Sequence, residues 1–232
     1  MRVLVTRARD DARRTAEKLA ARGHEAVLAP VTEIAPTGEP MPAGSYDALV
    51  VTSAHAGAAL SSLIDKQKPV FAVGERTADA AREAGFACVV AAEGDALSLS
   101  GLIRNTLSPG LALLHVAARH RKDEPAASLR AAGFILRQWE AYEARAVQGL
   151  PQATIAALRT GQIGAALHYS RRSAWLFARL AEQAGLASAL RALPHLCLSA
   201  DVAAPLEAAG VLPLKAGEPS EEALLELLDG LP

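Results

Sequence analysis

Leu4 to Pro30 reads LVTRARDDARRTAEKLAARGHEAVLAP, and Leu113 to Trp139 reads LLHVAARHRKDEPAASLRAAGFILRQW. Each has a short apolar run, a basic turn, an alanine-rich amphipathic stretch, a glycine and a second apolar run. Short Val/Leu/Ala runs alternating with longer helical stretches are the pattern of βα units around a parallel sheet. The match continues outward: DALVVTSAHAGAAL from Asp47 resembles GAALHYSRRSAWLF from Gly164, and VGERTADAAREAGFACVV from Val73 resembles LSADVAAPLEAAGVLPLK from Leu198. Gly23 falls on Gly133, Ser53 on Ser170 and Gly85 on Gly210, at separations of 110, 117 and 125 positions. A repeat of that length is too long for a solenoid unit and suits a duplicated five-stranded α/β domain.

The expected strands are Val3–Thr6, Glu25–Ala29, Ala48–Thr52, Pro69–Val73, Ala87–Ala91, Leu111–Val116, Phe134–Trp139, Ala165–Tyr169, His195–Leu198 and Val211–Leu214. Helices fill most of the gaps, and Gly23, Gly85, Gly133, Gly185 and Gly210 stand where a left-handed residue commonly ends a helix. Pro30, Pro36, Pro40 and Pro42 cluster with Gly38 and Gly44 in a helix-poor junction.

With 232 residues, the chain has room for one large domain or two small ones. Hydrophobic residues make up 51% and charged residues 21%, so a packed core is expected rather than disorder. Lys and Arg total 24 against 25 Asp and Glu, a balance that argues against a general nucleic-acid binder. The two cysteines, Cys88 and Cys197, lack a C-x-x-C partner, which suggests neither a disulfide framework nor a zinc site and points to a reducing compartment. The opening MRVLVTRARDD is too short in apolar residues for a secretory signal, and the uncharged stretch from Ala48 to Ile64 falls short of a membrane span. A cytoplasmic location and no membrane or nucleic-acid partner are therefore expected, and a monomeric state is expected because no apolar helix face is left over.

In open α/β sheets ligands bind beyond the carboxyl ends of the strands. The basic turns Thr6-Arg7-Ala8-Arg9, Arg119-His120-Arg121-Lys122 and Ser170-Arg171-Arg172-Ser173 occupy such ends. In a chain of net charge -1 they suggest a polyanionic small molecule, although arginine also snorkels over ordinary helix surfaces. Thr52-Ser53 and Tyr169-Ser170 place hydroxyls where a strand passes into a helix, fit either for capping or for offering free N–H groups to an anion. Val73-Gly74-Glu75-Arg76-Thr77-Ala78 is a third such turn, but it is neither a G-x-G-x-x-G nor a Walker loop. The six histidines lack metal-ligand spacing, and there is no nucleophile elbow. No cofactor or metal is expected.

The ordered set V-T-R, D-x-L-V-V-T-S-A-x-A, V-G-x-x-T-A, a basic turn, A-Y-E and G-E-P-S-x-E-A-L-L resembles the uroporphyrinogen-III synthase family over essentially the whole chain. That resemblance implies two similar flavodoxin-like domains with parallel sheets, joined by a two-stranded linker. Residues 1–32 plus 147–232 would form the first, discontinuous domain and 36–141 the second, with linkers near 31–36 and 141–147. It further implies cofactor-independent cyclisation of hydroxymethylbilane to uroporphyrinogen III with inversion of ring D, in haem biosynthesis. Loss of the hydroxyl as water gives an azafulvene cation. Attack at the substituted carbon of ring D gives a spiro intermediate, which fragments and recloses with the ring inverted.

Carried over by position, Tyr142 of A-Y-E is the candidate proton donor. Arg7, Ser53, Thr77, Ser170 and Ser199 fall at cleft-facing turns, and Arg119, Arg121 and Lys122 at the basic turn. A neutral phenol can donate a proton at pH 7 without carrying charge, and the same residue would also serve as packing at a linker. Ala118 stands where the family often has glycine, and Val202 where some members have threonine. Two rival classes are a two-domain binding or regulatory module for a polyanionic small molecule, and a cofactor-using flavodoxin relative.

Overall fold

The first strand, β1 (Arg2–Val5), alternates its side chains between two apolar clusters. Leu4 joins one and Val3 and Val5 the other, so the sheet is covered on both faces. The computed structural model describes residues 1–231. The chain continues through α1 (Arg9–Ala21), β2 (Glu25–Leu28), β3 (Thr32–Pro36) and β4 (Ala48–Val51). A 3-10 turn at Ala54–Ala56 leads into α2 (Gly57–Ser62), followed by β5 (Val70–Ala72), α3 (Glu75–Glu83), β6 (Val89–Ala91) and α4 (Ala96–Thr106). Next come β7 (Ala112–Ala118), α5 (Ala126–Ala131), β8 (Ile135–Ala146), α6 (Gln152–Arg159) and β9 (Ala165–His168). The described chain ends with α7 (Arg171–Gln183), α8 (Ala187–Ala192), β10 (His195–Cys197), α9 (Ala200–Ala208), β11 (Leu214–Lys215) and α10 (Glu221–Asp229).

Two units emerge, Met1–Glu33 with Arg145–Pro232, and Ile34–Ala144. In the first the sheet order is β11-β10-β9-β1-β2, with every pairing parallel. In the second it is β3-β8-β7-β4-β5-β6, with β8 through β6 parallel. Strand β4 shows why: Leu49 and Val51 face one apolar cluster, Ala48 and Val50 the other, and all four are buried. The fold is thus mixed α/β with parallel sheets, and ten α-helices lie among the described residues. No helix among them is long and apolar enough to cross a membrane.

The sequence expectations differ from the structure at three places. The last strand is two residues at Leu214–Lys215 rather than Val211–Leu214, because Val211 packs into the core beneath α9 while Leu212 is 94% exposed. Strand β8 runs on from Trp139 to Ala146 through A-Y-E-A-R-A, a stretch of weak strand propensity held by its pairing with β7 and β3. The proline-containing stretch Thr32–Pro36 is itself a strand, at the sheet edge where proline is tolerated. Both cysteines are free, Cys88 exposed and Cys197 buried.

Candidate functional site

In each unit the parallel strands put their carboxyl ends on one side, and the candidate residues gather there. In the first unit Arg7 follows β1, Ser170 follows β9 and Ser199 follows β10, three adjacent strands. In the second, Ser53 follows β4, Thr77 lies in the first turn of α3 after β5, and Arg119, Arg121 and Lys122 follow β7, again adjacent strands.

The serines are helix caps. Ser170 Oγ accepts from the Ser173 N–H at 3.2 Å, Ser199 Oγ from the Val202 N–H at 3.4 Å, and Ser53 Oγ from the His55 N–H at 3.3 Å. Such caps satisfy one N–H of the first turn at the carboxyl ends of these interior strands and leave further N–H groups for an anion. Gly74 precedes α3 without a side-chain cap, and a Cβ there would sit 3.4 Å from the Gly94 backbone. Thr77 is buried.

Tyr142 sits on β8, and a bulge decides where it points. Ala117 pairs with Glu140 but Ala118 with Tyr142, so one residue of β8 is extra. Strict alternation would turn Tyr142 away from the face that Trp139 occupies; the bulge returns it to that face, among Leu49, Val51 and Val116. The buried phenol reaches past β7 toward the Ser53 side chain. Burial raises its pKa, which the nearby Ser53 hydroxyl only partly opposes, so the phenol keeps its proton at neutral pH.

The basic turn is less free than its sequence suggests. Arg119 meets Glu39 at 3.2 Å, Glu143 at 3.3 Å and Glu140 at 3.6 Å, while Arg121 meets Glu140 at 2.9 Å. Hydrogen bonding from Arg121 holds the Glu140 carboxyl below the usual range. Lys122 lines an open cavity of about 350 Å³ with both arginines.

Arg7 is also engaged. Its guanidinium lies 4.1 Å from the Tyr169 ring centre, donates to Glu221 Oε1 at 3.0 Å and to Thr15 Oγ1 at 3.3 Å. Glu221 accepts as well from Thr15 and Lys18, and although burial disfavours its charge, those bonds lower its pKa. The sequence pattern singled out Tyr169 only as a hydroxyl beside Ser170, and it singled out neither His115 nor Glu221, which is the unspecified position of the G-E-P-S-x-E segment. Among the described residues no group of three or more His, Cys, Asp or Glu is placed to hold a metal ion.

The fold is similar to the crystal structure of uroporphyrinogen-III synthetase from Helicobacter pylori 26695, with a TM-score of 0.66 and 17% identity over 100% of both chains. A mutant uroporphyrinogen III synthase from the extremely thermophilic bacterium Thermus thermophilus also matches, at 19% identity over 99% of this chain and 96% of that one, with a TM-score of 0.48. No curated protein sequence matches the chain. The Helicobacter likeness speaks for the α/β fold, whereas the family description Uroporphyrinogen-III synthase HemD matches residues 13–226, nearly the whole chain. With that match added to strand-end turns rich in hydroxyls and cations, the chain belongs to the uroporphyrinogen-III synthase family, the cyclising lyases of haem biosynthesis that close hydroxymethylbilane to uroporphyrinogen III.

Proposed function

We propose that this chain carries out the cyclisation with Tyr142 as the proton donor and with the strand-end turns as its tetrapyrrole site. The observation that carries the assignment is the neutral phenol of Tyr142, buried and facing Ser53 at the carboxyl end of β4. Departure of the hydroxyl from hydroxymethylbilane needs a proton to leave as water. Tyr142 supplies it without placing a permanent charge beside the azafulvene cation that forms. Its phenolate is then next to a cation, and the Ser53 hydroxyl steadies it. The pyrrole electrons drive attack on the substituted carbon of ring D, fragmentation and reclosure. The protein's part is to hold the linear substrate folded so that the spiro route outpaces spontaneous head-to-tail closure.

Arg7, Thr77, Arg119, Arg121, Lys122, Ser170 and Ser199 serve as substrate contacts, the serines through the helix N-termini that they cap. The carboxylates now on Arg7 and Arg119 keep those guanidinia extended and are exchanged for substrate carboxylates on binding. We assign residues 1–32 plus 147–232 and 36–141 as two duplicated, flavodoxin-like domains with a two-stranded linker at 31–36 and 141–147. The shared spatial order supports this reading. Matching β1, β2, β9, β10 and β11 to β7, β8, β4, β5 and β6 gives the same sheet order in both units. The order 2-1-3-4-5 within the first unit is that of flavodoxin-like sheets. The chain acts as a cytoplasmic monomer on this reading.

The test is to incubate the purified protein with freshly generated hydroxymethylbilane, oxidise the products and separate the isomers. Predominant isomer III supports the assignment; isomer I alone, at the rate of the blank, refutes it.

A further inference from the structure

Beside the carboxyl end of β7, the cavity of about 350 Å³ is lined by Arg119, Arg121, Lys122, Asp123, Arg130 and Gln138, with two alanines of α5 completing the wall. Its cations differ in how far they are neutralised. Arg119 and Arg121 are held by the glutamates described above. Arg130 makes no ion pair among the described residues; its Nη2 donates to Gln138 Oε1 at 3.2 Å, leaving its other N–H groups to the cavity. Lys122 is exposed and has no ion-pair partner there either. Asp123 is the one carboxylate in the lining, against four cations.

A hydrogen-bonded chain ties this cavity to the turn after β4. Because Gln138 Oε1 accepts from Arg130, its amide N–H₂ faces His115 Nδ1, 3.5 Å away. His115 therefore carries its proton on Nε2 and donates it to Thr52 Oγ1 at 3.2 Å. The ring is 1% exposed, and Thr52 precedes Ser53, which faces Tyr142. Arg130 thus orients the Gln138 amide, and the geometry gives His115 the Nε2–H tautomer.

We infer that this cavity is a carboxylate subsite, in which Arg130 and Lys122 together hold one carboxylate side chain of the linear tetrapyrrole. The inference rests on the reaction proposed above and adds Arg130 and Gln138 to its binding groups. A guanidinium anchored by one nitrogen to Gln138 still presents a planar pair of donors, which matches a carboxylate bidentately. The free ammonium of Lys122 completes the charge balance, and Asp123 limits the cavity to one anion.

The test compares the wild-type protein with Arg130→Ala, Arg130→Lys and Lys122→Gln, measuring KM and kcat for isomer III formation from hydroxymethylbilane. The subsite requires KM to rise about tenfold in Arg130→Ala, the loss of one charge-assisted bond. Arg130→Lys recovers part of it, Lys122→Gln shows a smaller rise, and kcat changes by less than about threefold throughout. Lys122 is exposed, so its variant reads the subsite without risk to folding. Unchanged KM in both Arg130→Ala and Lys122→Gln, with isomer III still formed, would overturn the subsite and leave the synthase reading intact. Isomer I alone from the wild-type protein would remove both. Inorganic phosphate is added as a competitor against acetate: inhibition by phosphate alone that disappears in Arg130→Ala would mark a phosphate pocket and overturn the carboxylate assignment.

Discussion

The phenol of Tyr142 on β8 faces the Ser53 hydroxyl at the end of β4, with β7 lying between the two strands, and that hydroxyl works against the rise in pKa that burial imposes. Ser53 also caps the following turn through the His55 N–H, so its hydroxyl is held in place beside the candidate acid. Tyr142→Phe removes the proton donor and keeps the ring packing. We expect kcat for isomer III to fall about a hundredfold, with little change in unfolding midpoint. Ser53→Ala is expected to lower kcat less. Combined with Tyr142→Phe it should add almost nothing, because the two act as a unit. Additive losses in the double variant would separate them.

Acid should weaken the second unit in a defined window. Burial first, then repulsion from Arg121 and Arg130, pushes the His115 pKa down to about 4 from 6.5. The folded ring binds its proton later than the unfolded one, so the unfolded chain is favoured as pH falls from about 6.5 to about 4. The full effect is of order 3 kcal/mol, and it is complete near pH 4. Urea midpoints taken between pH 7.5 and 4.5 should fall steadily, and His115→Gln should flatten the dependence.

A pair of buried histidines acts in the same direction within the first unit. His168 Nε2 lies 2.9 Å from His195 Nδ1, and His195 Nε2 is 2.8 Å from the Leu190 carbonyl. His195 must donate to that carbonyl, so it accepts from His168 and both rings are neutral. Burial lowers both pKa values, that of His195 to about 4. Proton NMR at neutral pH should show two protected ring N–H signals here, one from each Nε2; signals from His168 Nδ1 would contradict the assignment.

Glu221 joins α10 to the end of β1 through Arg7, Thr15 and Lys18. Glu221→Gln keeps the shape but leaves two cations unbalanced. A loss of about 1–2 kcal/mol is expected in denaturant unfolding, discounted because Lys18 is half exposed. No change in midpoint would mean that the cluster is held by packing alone.

Two glycines should respond with opposite sign. Gly133 has φ of 86°, and a Cβ there would stand 3.3 Å from Pro109 Cβ. Gly133→Ala is expected to cost about 1–2 kcal/mol. Gly57 is already helical, and its Cβ would meet Ala80 Cβ at an ordinary 3.9 Å. Gly57→Ala should stabilise by about 0.5–1 kcal/mol, read from the same unfolding curves.

The βα alternation and parallel sheets were legible because buried strands such as Ala48–Val51 are apolar on both faces and the helices between them keep a separate period. The continuation of β8 was not, since A-Y-E-A-R-A gains its strand character from neighbours that sequence proximity does not reveal. Nor was the bulge that re-aims Tyr142, a register event between Ala117 and Ala118 without a glycine to mark it. At the site, the serines and cations could be found as residue types at strand ends. Their partners could not: Glu221 is more than two hundred positions from Arg7, and Glu39 is eighty from Arg119. Long-range charge pairing leaves no local periodicity to read.

Strand β1 is flanked by β2 and β9, whose residues are separated by more than a hundred positions of chain. During synthesis β1 therefore emerges with one edge bare, and Val3 to Val5 must wait until Ala165 to Leu167 leave the ribosome. The inserted unit, continuous from Ile34 to Ala144, has all its own strands before that moment. The nascent chain accordingly completes its middle first and its beginning last. A truncation at either end strikes the same late-closing sheet.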